Sequence, residues 1–263
     1  MKTRRAINWG RSYAAAMSAV LLLFGTGLIG DGDVWYSPWT AHRLQTDALL
    51  AGQFALSNDP ADLEWDNAWS MGGVHQVWGL GVPLWRLPWQ GMAELVGFAG
   101  FPDRLAFGLF VFLVAYIAIG VWGGIAEYHR ERRGMITTLV VILILIGFPP
   151  FLSMLRARFA VYEEAIAYGY LFAVLQATML ARLVFRPRRW IWWSLCAVAG
   201  LGGLIRPTLI FYGVASLFCA GLVMLPLWRA AGNDRWKTAI RNYGLGVCVF
   251  CLGGCTATIR FPH

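Results

Sequence analysis

The run LAFGLFVFLVAYIAIGVWGGIA at residues 105–126 decides the fold class. It carries no charge, and ~17–25 mostly apolar residues in a helix cross the hydrocarbon core of a bilayer. Working outward, similar runs occur at 13–29, 135–155, 165–185, 190–205, 209–228 and 243–259. A membrane β-barrel would show shorter segments of alternating polarity. These runs are continuous, and a helix satisfies its own backbone inside lipid. The sequence therefore predicts an all-α chain: a polytopic membrane helix bundle of about seven transmembrane helices, forming a single membrane domain over 1–263. Composition agrees, with 58% hydrophobic and 14% charged residues in 263 and a mean hydropathy of +0.56. Soluble domains are ~45–50% apolar and ~25% charged. Lys and Arg outnumber Asp and Glu by 22 to 14, but the excess is dispersed between apolar runs, so no nucleic-acid partner is expected.

Basic clusters orient the spans. They are Lys2, Arg4, Arg5 and Arg11; Arg130, Arg132 and Arg133; Arg186, Arg188 and Arg189; and Arg229, Arg235, Lys237 and Arg241. With seven spans all four fall on one side. That side is taken as cytoplasmic, giving a multi-pass protein of the cytoplasmic (inner) membrane with a cytoplasmic N-terminus. Most carboxylates, Asp31, Asp33, Asp47, Asp103, Glu163 and Glu164 among them, fall on the other side. Arg182 stands near a cytoplasmic helix end and can snorkel. The basic start and apolar middle of the first span also fit a cleavable signal. Its run is long for one, so a retained span is expected. Cys196, Cys219, Cys248, Cys251 and Cys255 all lie in expected spans and read as small packing residues.

Residues 31–104 form a long first external loop containing interfacial helices. Ser37-Pro38 reads as an N-cap followed by Pro in the first turn. From Trp39 an amphipathic helix is expected, with Leu44, Ala48 and Ala51 on one face and Arg43 and Asp47 paired one turn apart. Residues 83–96 read as a second interfacial piece, broken at Pro88. Its Trp85 and Trp89 suit the headgroup level; the alternative reading is that one or two of the loop tryptophans stack on a sugar ring or a lipid headgroup. The stretch NDPADLEWDN (58–67) does not follow the EF-hand order and reads as a solvated acidic turn. His42 and His75 are isolated in sequence and read as structural.

Two acidic pairs stand at the membrane exit. Asp31 and Asp33, in GDGDVWY (30–36), follow the first span. Glu163 and Glu164, in AVYEEA (160–165), precede the fourth. A carboxylate is costly to desolvate unless paired or ligated, so two such pairs on one face could share a polar cavity. Adjacent residues of a helix point in different directions, so one of Glu163 and Glu164 is expected to face it. Arg156, Arg158 and Arg206 reach the same side, where guanidinium suits either an ion pair or a phosphate.

The segments 31–36, 69–89 and 158–170 resemble the GT-C class of membrane glycosyltransferases, which use polyprenyl-phosphate-linked sugars. The resemblance implies transfer of a sugar to a glycan, lipid or protein acceptor on the external face, with inversion. It implies that Asp31, or Asp33 after it, acts as general base or organises a divalent metal, with Glu163 or Glu164 assisting. Asp31 and Glu163 would be the ligands if a metal is present. Arg158 and Arg206, with Arg156 behind them, would face the lipid phosphate. Complete members are commonly longer, so the resemblance implies an N-terminal portion or a short form. The alternatives are a non-catalytic membrane subunit or truncated enzyme remnant, and a transporter or lipid flippase. The last class tends to show internal repeats and midplane charges; the expected midplanes here are almost free of charge.

Overall fold

The computed structural model describes residues 2–27, 35–37, 40–63, 67–128, 149–157 and 159–229. Among these the chain is all-α apart from one small hairpin. The helices are α1 (Lys2–Gly25), α2 (Ala41–Leu50), α3 (Gly81–Leu95), α4 (Asp103–Tyr128), α5 (Pro149–Ala157), α6 (Val161–Phe185), α7 (Arg189–Ile205) and α8 (Leu209–Arg229). Two stretches, Asp103–Ile125 and Val161–Phe185, are long and apolar enough to cross a membrane, and Arg11–Gly25, Arg189–Ile205 and Leu209–Met224 are shorter apolar ones. Expected span 243–259 and most of 135–155 lie outside the described residues, as do Asp31, Asp33, Arg158 and the three cysteines from 248 onward.

The directions of the long helices follow from their contacts. Leu23 of α1 reaches Gly108 of α4, while Arg11 reaches Gly120, so α1 and α4 are antiparallel. Phe110 touches Tyr168 and Phe172 and Gly124 faces Arg182, so α4 and α6 are parallel. Gly169 meets Leu209 and Ser216 bonds Gln176, which sets α8 parallel to α6; α7 returns between them. The main core joins Ala15, Ala19 and Leu22 of α1 to Phe107, Val111 and Val114 of α4 and Ala167, Tyr168 and Leu171 of α6. A second core joins Leu183, Ile191, Trp192 and Leu195 to Leu217 and Met224. Small residues at these seams let helix backbones approach closely.

A cap of α2, α3 and a hairpin covers the end of the bundle where α4 and α6 begin. Strands β1 (Asn67–Ser70) and β2 (Gly73–Gln76) pair antiparallel with Ser70 opposite Gly73. Met71 and Gly72 turn between them at φ 51° and 78°, the positive pair that a two-residue hairpin turn needs. The sequence reading contained no strand here.

Several expectations about the cap need correction. Ser37 does not cap α2. The helix begins at Ala41 after Thr40, with no side-chain cap, and Ser37 instead binds the bundle, as described below. Helix α3 runs unbroken through Pro88. Side chains anchor it on both sides of the proline: Arg86 donates to Phe101 O and Gln90 accepts from Phe101 N–H. Trp85 packs on the head of α4. Its Nε1 donates to Ala106 O at 2.9 Å and its ring meets Phe110 edge-on. Arg43 turns to Asp103 and Ser37 O instead of pairing with Asp47.

Candidate functional site

Helix α2 buries His42, Gln45 and Thr46 and leaves Leu44 52% exposed. Its polar face is turned inward. What receives that face is polar too: Gln76 of β2, Arg86 and Gln90 of α3, Asp103 at the head of α4 and Glu164 in the first turn of α6, all buried.

Asp103 organises the cluster. Arg86 forms an ion pair with it, both side chains being almost fully buried. Arg43 approaches its other oxygen at 3.9 Å, and that oxygen accepts the Ser37 N–H at 2.7 Å. The Ser37 hydroxyl donates to Phe159 O at 3.1 Å. Ser37 follows Asp33 by four positions, and Phe159 precedes Glu163 by four. Ser37 therefore ties the connection after α1 to the connection before α6.

Glu164 is 1% exposed. Its charge neighbours are Asp103, Arg86 and Arg43, and among the described residues its Oε1 has no hydrogen-bond partner. Tyr168 stands one turn further along α6, with its ring against Phe107 and Phe110. Its hydroxyl also lacks a partner among the described residues. His42 packs against the Val161 main chain and the Gln76 side chain, without completing a hydrogen bond at either ring nitrogen. Burial first, and the Arg86 charge second, lower the His42 pKa to about 4. The imidazole is thus neutral near pH 7. Both amide atoms of Gln76 are likewise unpartnered among the described residues. Buried polar groups normally find partners, so this concentration of open donors and acceptors makes the cluster the candidate site.

Glu163 is half-buried and Tyr162 exposed in the same first turn of α6. Trp78 meets the Tyr162 ring edge-on at 5.2 Å, and the Arg206 guanidinium lies 5.2 Å from the same ring centroid. Gly79 and Gly81 bring the cap backbone directly onto Leu204 and Ile205 at the end of α7; a Cβ on either glycine would overlap them. This contact sets Trp78 beside Tyr162 and Arg206.

Of the expected site residues, Glu163, Glu164 and Arg206 come together at this end. Arg156 is exposed on α5, and Asp31, Asp33 and Arg158 lie outside the described residues. No protein family, curated protein or solved structure matches this chain. Among the described residues no three His, Cys, Asp or Glu side chains converge as metal ligands; Asp31, which the resemblance pairs with Glu163, is not among them.

Sequence reasoning missed Ser37, His42, Gln76, Arg86, Asp103 and Tyr168. Two signals were present. His42, Gln45 and Thr46 are spaced i, i+3, i+4, and Arg86 and Gln90 are spaced i, i+4, so each set forms one polar helix face. His42 is not isolated, because three other segments converge on it.

Proposed function

We propose that this chain is an integral-membrane glycosyltransferase of the GT-C kind, moving a sugar from a polyprenyl-phosphate donor to an acceptor hydroxyl on the external face. The observation that carries the reading is Glu164: a buried carboxylate with an open oxygen, beside a closed Arg86–Asp103 ion pair, at the head of an apolar helix. Membrane-edge carboxylates of this kind are functional candidates. The Ser37 tie supports it further, since the two connections that bear the acidic pairs are bonded to one another.

The membrane setting rests on the two long apolar stretches and on the faces beside them. Tyr13, Leu21 and Phe24 of α1 and Phe211, Phe218 and Leu222 of α8 are all more than half exposed. Large contiguous apolar faces do not stay in water; acyl chains cover them in this reading. Arg11, Arg182, Arg186 and Arg188 lie at the bundle end opposite the Glu164 cluster, and in this reading the basic end is cytoplasmic and the Glu164 end external.

In the proposed reaction the acceptor hydroxyl hydrogen-bonds Glu164 Oε1 and gives that oxygen its proton. The acceptor oxygen forms a bond to the anomeric carbon from the face opposite the lipid phosphate. The bond from that carbon to the phosphate oxygen breaks, and polyprenyl phosphate departs with the electron pair. Arg206, held over the Tyr162 ring, is the cation proposed to meet this developing charge. Asp31 and Asp33 remain candidates for the same proton.

The test is transfer of labelled sugar from a polyprenyl-phosphate donor by the full chain in vesicles. A positioned general base contributes ~10²–10⁴-fold, so Glu164→Gln should lower the rate by at least about a hundredfold at unchanged protein level. Undiminished transfer by that variant removes Glu164 as the base. No transfer by the parent chain, together with solute uptake into the vesicles, would favour a transporter.

A further inference from the structure

The opposite end of the bundle carries a second arrangement that sugar transfer does not use. There Arg11 of α1 lies across α4. Its Nε donates to Tyr116 O at 2.6 Å, and its guanidinium carbon sits 3.9 Å from the Tyr116 ring centroid. Gly120 makes room for it, because a Cβ at that position would overlap the guanidinium. One turn further, Arg182 of α6 brings Nη1 to 3.5 Å from where a Gly124 Cβ would stand. Residues four apart on a helix lie on one face, about 6 Å from each other. Two guanidinium groups from different helices therefore meet the same strip of α4.

Neither makes an ion pair among the described residues, whose ion pairs are Arg43–Asp103 and Arg86–Asp103. Arg186, Arg188 and Arg189 stand exposed just beyond, so the local field is strongly positive. Gly124 is one residue short of Ile125, where the apolar stretch of α4 ends. If that stretch spans the bilayer, Arg182, at Gly124, sits at headgroup depth, and the Arg11 guanidinium, at Gly120, lies one turn deeper. A forked guanidinium matches the oxygens of a phosphodiester, and basic notches between helices on the cytoplasmic side suit anionic lipid headgroups.

We propose that Arg11 and Arg182 hold the phosphodiester of an anionic phospholipid against the glycine strip of α4. The site rests on the membrane part of the reading above and is independent of sugar transfer.

The experiment uses the full chain purified in a neutral detergent, with phosphatidylglycerol or phosphatidylcholine added in mixed micelles. Bound lipid is counted by native mass spectrometry, and thermal unfolding is followed in parallel. Phosphatidylglycerol should be retained and should raise the unfolding temperature, and phosphatidylcholine should do neither. Arg182→Gln alone removes a guanidinium that makes no hydrogen bond or ion pair among the described residues, so it should fold normally and weaken phosphatidylglycerol binding at least tenfold. Arg11→Gln with Arg182→Gln should abolish it. Equal retention of the two lipids, or unchanged binding by Arg182→Gln, overturns the site. Displacement of the lipid by millimolar inorganic phosphate would mark a soluble-anion site and overturn the lipid assignment. A chain that stays in the aqueous fraction without detergent overturns this site together with the membrane reading, whereas a membrane-embedded chain that fails to discriminate overturns this site alone.

Discussion

Helix α2 in the cap and helix α4 in the bundle solve burial in opposite ways. Helix α4 hides Ala106, Phe107, Phe110, Val111, Val114 and Ala115, an apolar seam with many interchangeable contacts. Helix α2 hides His42, Gln45 and Thr46 and turns Leu44 outward. Apolar packing is non-directional and spreads over a large area. Polar burial stabilises only where each group meets a specific partner. The cap is therefore held at a few points and the bundle at many, and the two should respond differently to the same kind of damage.

The sharpest way to break that contrast is Arg86→Ala. It leaves Asp103 buried without its main counter-charge, and breaking a buried pair costs about 3–5 kcal/mol. Thermal unfolding in detergent should show the loss, and Arg86→Met combined with Asp103→Leu should recover much of it. Full stability in the single variant would mean that the ion pair does not hold the cap.

Acid should distinguish the two regions next. The folded state keeps His42 neutral, with its pKa lowered from 6.5 to about 4. The unfolded chain therefore takes up a proton first as pH falls. The stability linked to His42 is fully present above pH 6.5 and drains away between 6.5 and about 4. A shift of this size corresponds to about 3 kcal/mol. His42→Gln should flatten this part of the pH–stability curve, and an identical acid slope in parent and variant would exclude His42 as its source. The smallest effect is expected at Leu44→Ser. An exposed side chain in water changes stability by less than about 0.5 kcal/mol, so a clear loss confined to vesicles would show that the outward face of α2 touches lipid.

The same contrast explains what could be read from the sequence. Spans such as 105–126 and 165–185 show themselves through uninterrupted apolar composition, and helices α4 and α6 occupy them with ends shifted by a few residues. Helix α2 was legible as an amphipathic helix, but periodicity gives two faces and does not say which is buried. The inward choice depends on Asp103, 61 positions after His42 in sequence. Glu163 and Glu164 were legible because two carboxylates beside an apolar run are conspicuous. Arg86 was not, because it sits in an interfacial-looking segment whose Pro88 suggested a break. The hairpin was missed for a local reason: Met71 takes a positive φ that its side chain does not advertise.

Gly79 and Gly81 carry a further consequence. Main chain rests on main chain where Gly79 crosses Leu204 and Ile205, and Gly81 presses on both the backbone and the side chain of Ile205. A seam of that kind tolerates sliding poorly, because a small displacement meets hard atoms at once. The Trp78–Tyr162–Arg206 corner is thereby indexed to the last helical pair like a hinge pin seated in its socket, and a substrate arriving there would meet a wall of fixed shape.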